Sequence, residues 1–185
     1  MELAEFQRNF PPAVPVPERL QRLLEFQNRS HEWYSGYFEL IGWQYGDAAW
    51  FGGDTAAAGQ FVVFGHGPDG SLYAFWLYPG RTLSDAPVVF LGSEGTACGL
   101  LADNLDEFLE LLATGAEELG FAVSAGDVSA PHSPSPRLSE FRRWLRESFG
   151  INAPPDPLTV VAAARSRHPD FGSWLAAWQQ EHSEA

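Results

Sequence analysis

The chain has 185 residues, 45% of them hydrophobic, with 11 basic against 24 acidic side chains and a net charge of −13. That length buries a core without covalent staples; the single cysteine, Cys98, excludes an internal disulfide; and the charge repels phosphate backbones, which argues against direct nucleic-acid binding. No apolar run nears the ~18 residues of a membrane span, and Met1–Phe10 sets Glu2 and Glu5 ahead of Arg8, the reverse of a secretory signal, so the expectation is a cytoplasmic domain with no membrane partner.

Residues 11–17 (PPAVPVP) read as an extended proline-rich lead-in. A first helix is expected from Pro17 to about Asn28, with Leu20, Leu23, Leu24 and Phe26 near one face. The stretch Trp33–Phe51 holds eight aromatic residues, and within it Tyr37–Trp43 reads as a strand. Gly52–Asp54 reads as a turn and Thr55–Gly59 as a loop. The clearest β signal follows: Gln60–Gly65, a His66–Gly70 turn built on Pro-Asp-Gly, then Ser71–Tyr78. Pro87–Leu91 and Ala97–Ala102 are two further strands. Short connections favour an antiparallel sheet.

A second helix is expected after Asp103 or Asn104, either of which caps its free N–H groups. Leu105, Phe108, Leu109 and Leu112 follow helical spacing, Asp103, Asp106 and Glu107 lie where the helix dipole favours negative charge, and Gly115 marks the end. Residues 122–136, rich in Ser, Pro, Ala and Gly, read as a linker. Two or three helices are expected after it, opened by Ser135-Pro136, Asp156-Pro157 and Pro169. The fold class expected is α+β: a domain over residues 1–130 with a helical extension over 131–185.

Charge is unevenly placed. Residues 1–130 carry 18 acids and 5 arginines, and from Thr82 to Pro136 there are nine acids and no arginine. Such a field attracts a basic partner.

Motifs of catalysis fail on inspection. Cys98 has no basic neighbour in sequence to lower its pKa. His31-Glu32 begins like a zinc-protease motif, but its fifth position is Ser35. Gly92-Ser93-Glu94-Gly95 would need glycine where Leu91 stands to be a nucleophile elbow. The absence of lysine excludes Schiff-base chemistry and a Walker lysine. The scattered histidines lack metal-ligand spacing. The expectation is therefore no catalytic residue, no metal and no cofactor. The carboxylate pairs Glu94 with Asp103 and Asp47 with Asp54 remain. With Trp33, Tyr34, Trp43 or Trp50 beside Asp47 or Asp54, a carbohydrate or small-ligand site is the alternative.

Three segments, Gln60–Leu77 (QFVVFGHGPDGSLYAFWL), Pro87–Gly95 (PVVFLGSEG) and Leu101–Gly115 (LADNLDEFLELLATG), resemble the SUKH superfamily, which includes fungal cell-wall-assembly regulators and many bacterial toxin-immunity proteins. The helix from Pro17 through Phe26 loosely matches the family's first helix, although Asn28-Arg29-Ser30 stands where Asn-Gly-Gly is common. The resemblance covers about a third of the chain well. It implies a mostly antiparallel sheet flanked by helices, a protein-binding scaffold and no catalytic set. The expectation that follows is a non-enzymatic module, an immunity protein for a basic toxin such as a nuclease, existing as a monomer or weak homodimer. Glu94, Asp106, Glu107 and Glu110 are the expected partner-binding residues.

Overall fold

The computed structural model describes residues 1–78, 82–95 and 97–183. Its centre is an antiparallel meander of β1 (Glu39–Leu40), β2 (Phe61–His66), β3 (Leu72–Trp76), β4 (Val88–Leu91) and β5 (Gly99–Ala102), in that spatial order. Alternate residues of a strand face opposite sides. Val62, Phe64, Tyr73, Phe75, Val88 and Phe90 therefore join one core, and Phe61, Val63, Leu72, Ala74, Trp76 and Val89 a second. All are buried. Both faces are roofed, which is why these strands read as unbroken apolar runs rather than as an alternation with polar residues. The fold class is α+β, as expected.

Helices α2 (Glu18–Gln27), α4 (Leu105–Leu112), α5 (Leu119–Ala125) and α6 (Leu138–Phe149) cover the first face. Phe108 is its pivot, fully buried, with its ring 5.5 to 5.6 Å from those of Phe38, Phe64 and Tyr73. The second face is covered by α3 (Thr55–Ala58), by Ala164 of α7 (Pro157–Arg167), and by Phe171 and Leu175 of α8 (Asp170–Ser183). The helices after residue 131 thus contribute to both cores. Among the described residues no helix is long and apolar enough to cross a membrane.

The first helix, the hairpin, the later strands and the capped second helix lie where the sequence puts them, with Asn104 accepting from the Glu107 N–H at 3.0 Å. Three expectations are corrected, and one pair of elements was not anticipated. The strand expected over Tyr37–Trp43 shrinks to Glu39–Leu40, because the buried Asn9 side chain takes over beyond it. Its Nδ2 donates to the Ile41 and Val63 carbonyls, and its Oδ1 accepts from the Trp43 N–H at 2.6 Å. The loop expected over Thr55–Gly59 contains α3, which Asp54 caps by accepting from the Ala56 and Ala57 N–H groups. The linker expected from residue 122 begins later, since α5 runs to Ala125, buries Leu119 and Val123 one turn apart, and ends at Gly126 in the left-handed region. Small residues on its outer side hid that helix. Last, Met1–Phe10 contains α1 (Leu3–Phe6) and a 3₁₀ turn at Gln7–Asn9, anchored by buried Phe6 and Phe10.

Candidate functional site

The chain leaving α2 is pinned tightly. The Ser30 hydroxyl accepts from the Glu32 N–H at 3.1 Å, the Ser35 hydroxyl donates to the Leu112 carbonyl at 2.6 Å, and the Tyr37 N–H donates to the Glu117 carbonyl at 2.9 Å. Gly36 makes that approach possible: its φ is +51°, and a Cβ there would stand 2.1 Å from the Ala116 carbonyl oxygen. Gly65 plays a similar part on β2, where a Cβ would lie 2.5 Å from the Phe38 ring. With Phe38 and Tyr34 drawn into the core, Glu32 and Trp33 are left outside.

Opposite them stands α1, held down by the Asn28 side chain donating to the Met1 carbonyl at 2.8 Å and by the Tyr45 N–H donating to the Arg8 carbonyl at 2.8 Å. Between α1, the end of α2 and β1 lies a groove of about 700 Å³. Its lining brings together Glu2, Glu5, Glu32 and Glu39, with Trp33 at one end. Glu39 lies 3.5 Å from His66, and Glu5 lies 3.9 Å from Arg8. Among the described residues Glu2 and Glu32 have no ion-pair partner. On the far side of Trp33 a smaller hollow of about 140 Å³ is lined by Tyr37, Glu117 and the Ser133–Pro136 segment. Trp33 is 37% exposed and meets Tyr37 edge-on at 5.8 Å.

The acids singled out in the sequence sit elsewhere. Asp106 is gripped through both oxygens by Arg19, with Nη2 at 2.7 Å. Glu107 accepts from the Asp103 N–H at 3.0 Å and pairs with Arg167 at 3.1 Å, so it serves the helix start. Glu110 is half-buried, and desolvation, followed by the neighbouring Glu107 and Asp106 charges, raises its pKa. Glu94 is exposed in the β4–β5 turn, and β5 separates it from the start of α4. Turn and helix begin at opposite ends of that strand. The same separation splits the Glu94 and Asp103 pair.

Asp103 has another role. It accepts from buried His168 Nε2 at 2.6 Å, while Nδ1 of that ring lies 3.0 Å from the Tyr78 hydroxyl. An ionised carboxylate only accepts, so the Nε2 atom carries a proton; in the neutral ring Nδ1 then accepts from Tyr78. This chain ties the α7–α8 corner to β3 and to the β5–α4 junction. The His168 side chain is 1% exposed, which closes it to a substrate.

The aromatic alternative divides in the same way. Tyr34 is 2% exposed and donates to Gln27 Oε1 at 3.0 Å. Trp50 stacks on Trp178 of α8 at 5.7 Å and donates to the Gly92 carbonyl. Trp43 packs beside the same core. Asp54 caps α3 and accepts from Trp178 Nε1 at 3.1 Å; the Ala57 N–H, with these other donors, holds its carboxyl below the usual range. Asp47 accepts from the Ala49 N–H in a turn. Only Trp33 of those four rings is exposed. Burial pushes the Cys98 thiol up, away from a reactive thiolate. Among the described residues no group of His, Cys, Asp and Glu side chains could hold a metal ion.

The groove acids were only partly legible. Glu2 and Glu5 were visible as an acidic start and Glu32 as part of a failed zinc motif, but nothing in their spacing joins them to Glu39. No family model matches this chain, and no curated protein or solved structure matches it either.

Proposed function

We propose that this domain binds another protein, a basic one, through the acidic groove beside β1, and carries out no chemistry of its own. One observation carries the reading: four glutamates from three separate segments converge on one groove of about 700 Å³, next to an exposed tryptophan. Convergent charge speeds encounter with a cationic partner and fixes its orientation. An exposed tryptophan at the rim supplies the kind of anchor that dominates binding energy in interfaces. The net charge of −13 adds a long-range field of the same sign.

The partner class that fits best is a cationic toxin such as a nuclease, with this domain as its cytoplasmic immunity protein. The resemblance of residues 60–115 to the SUKH superfamily supports that choice, and so does the engagement of Asp103, Asp106 and Glu107 within the fold, which leaves the groove as the larger open acidic feature.

The test is affinity capture from host lysate at low and moderate salt, using the native protein beside a variant with Glu2, Glu5, Glu32 and Glu39 all changed to Gln. A stoichiometric basic protein, retained by the native domain, weakened by salt and lost by the variant, is the expected result. Equal retention by both proteins would remove the groove from the interface, and a partner that is not basic would overturn the reading.

A further inference from the structure

One wall of the groove is the outer edge of the sheet. Leu40 stands opposite Gly65, and the Ile41 N–H donates to the Phe64 carbonyl. The hydrogen-bonded pairs are thus the neighbours of Leu40, whose own N–H and C=O point away from β2. Both groups are taken by one side chain. Gln27 Oε1 accepts from the Leu40 N–H at 2.7 Å, and Gln27 Nε2 donates to the Leu40 carbonyl at 3.0 Å. These are the two bonds that a residue of an adjoining antiparallel strand would make.

The opposite edge of the sheet is closed differently. Helix α7 lies along β5, and Arg165 Nε donates to the Leu100 carbonyl at 3.2 Å. At β1 the cover is a single carboxamide at the end of α2, fronted by the groove. A side chain on a helix end can swing aside, whereas a packed helix cannot.

We propose that the groove receives an extended basic segment of the partner protein, which adds to β1 as a sixth strand and displaces the Gln27 carboxamide. This rests on the basic-partner reading above. The exchange replaces the two Gln27–Leu40 bonds by two strand bonds, while the buried Tyr34 hydroxyl, which donates to Gln27 Oε1 at 3.0 Å, must follow the displaced carboxamide or find another acceptor. The gain comes from side chains at every second position of the segment: arginines or lysines meet Glu2, Glu5, Glu32 and Glu39. Gly42, also in the lining, has no side chain of its own, and the Glu5 carboxylate and Met1 sulfur stand 3.1 and 3.5 Å from where a Cβ would lie.

The probe is a synthetic eight-residue peptide alternating arginine with threonine, titrated calorimetrically into the intact protein. Its companions are two analogues, N-methylated at the odd or the even positions, and a glutamate-for-arginine version. Strand addition uses the N–H groups of one parity only. One methylated analogue should therefore lose about tenfold or more in affinity while the other changes less than threefold. Gln27→Ala, which frees the Leu40 groups, should tighten the parent peptide severalfold. Equal binding by both methylated analogues overturns the strand addition and leaves the basic-partner reading standing. Equal affinity, or equal silence, of the arginine and glutamate peptides overturns both. The methylation comparison uses the native protein, so it decides the matter even if Gln27→Ala fails to fold.

Discussion

The start of α4 and the groove beside β1 each hold four carboxylates, and their surroundings differ. Asp103, Asp106 and Glu107 have partners within the fold, namely His168, Arg19 and Arg167, and Glu110 lies half-buried against its own neighbours. In the groove Glu39 lies 3.5 Å from the His66 ring and Glu5 lies 3.9 Å from Arg8, while the Met1 ammonium in the same lining donates to Asn28 Oδ1 at 3.3 Å. Acids crowded at the start of a helix are used by the helix, its dipole and its caps. Acids that are scattered in sequence have no such local use, and their convergence is a property of the fold. Density of charge along the chain is thus a poor guide to which carboxylates the fold itself engages.

Three substitutions sharpen or break that contrast. The largest effect belongs to the core beneath α4. Phe108→Ala should cost about 3–5 kcal/mol of stability in urea denaturation, since its ring fills the space between Phe38, Phe64 and Tyr73. A loss below about 1 kcal/mol would mean that α4 does not seat as described.

Next comes the claim that the α4 acids serve structure. Asp103→Ala strands the buried His168 Nε2 atom and should cost about 1–3 kcal/mol. A variant with native stability would return Asp103 to the pool of acids available for binding.

The smallest effect is the most diagnostic. The folded state raises the Glu110 pKa, so the folded protein holds that proton more tightly than the unfolded chain. The stability this adds is present at low pH and is lost as pH rises through the raised value. Glu110→Gln should therefore stabilise the protein at neutral pH by up to about 0.5 kcal/mol, with the gain vanishing below the usual glutamate range. Denaturation midpoints at two pH values measure it. A loss at neutral pH would show that the charged form of Glu110 is favoured in the fold.

Much of the architecture was legible because its signals are local. Pro-Asp-Gly between two apolar runs marks the β2–β3 hairpin, and Asn104 ahead of Leu105, Phe108 and Leu109 marks α4. One failure arose where a distant side chain replaced a local one. Asn9, about thirty residues upstream of the ladder it continues, cut short the strand expected over Tyr37–Trp43. Gly120 lets α5 lie against Phe90, and the small residues from Ala122 to Ala125 read as the start of a linker.

The sequence by itself determined that this is an acidic α+β domain with a mostly antiparallel sheet and a capped, amphipathic α4, because turn chemistry and hydrophobic period act over a few residues. Only the tertiary structure decided which charges meet. It joined Glu2, Glu5, Glu32 and Glu39 in one groove, tied Asp103 to His168 across 65 residues, and stacked Trp50 beneath α8. Those contacts depend on how packed layers bring remote segments together, and no pattern within a short window encodes that.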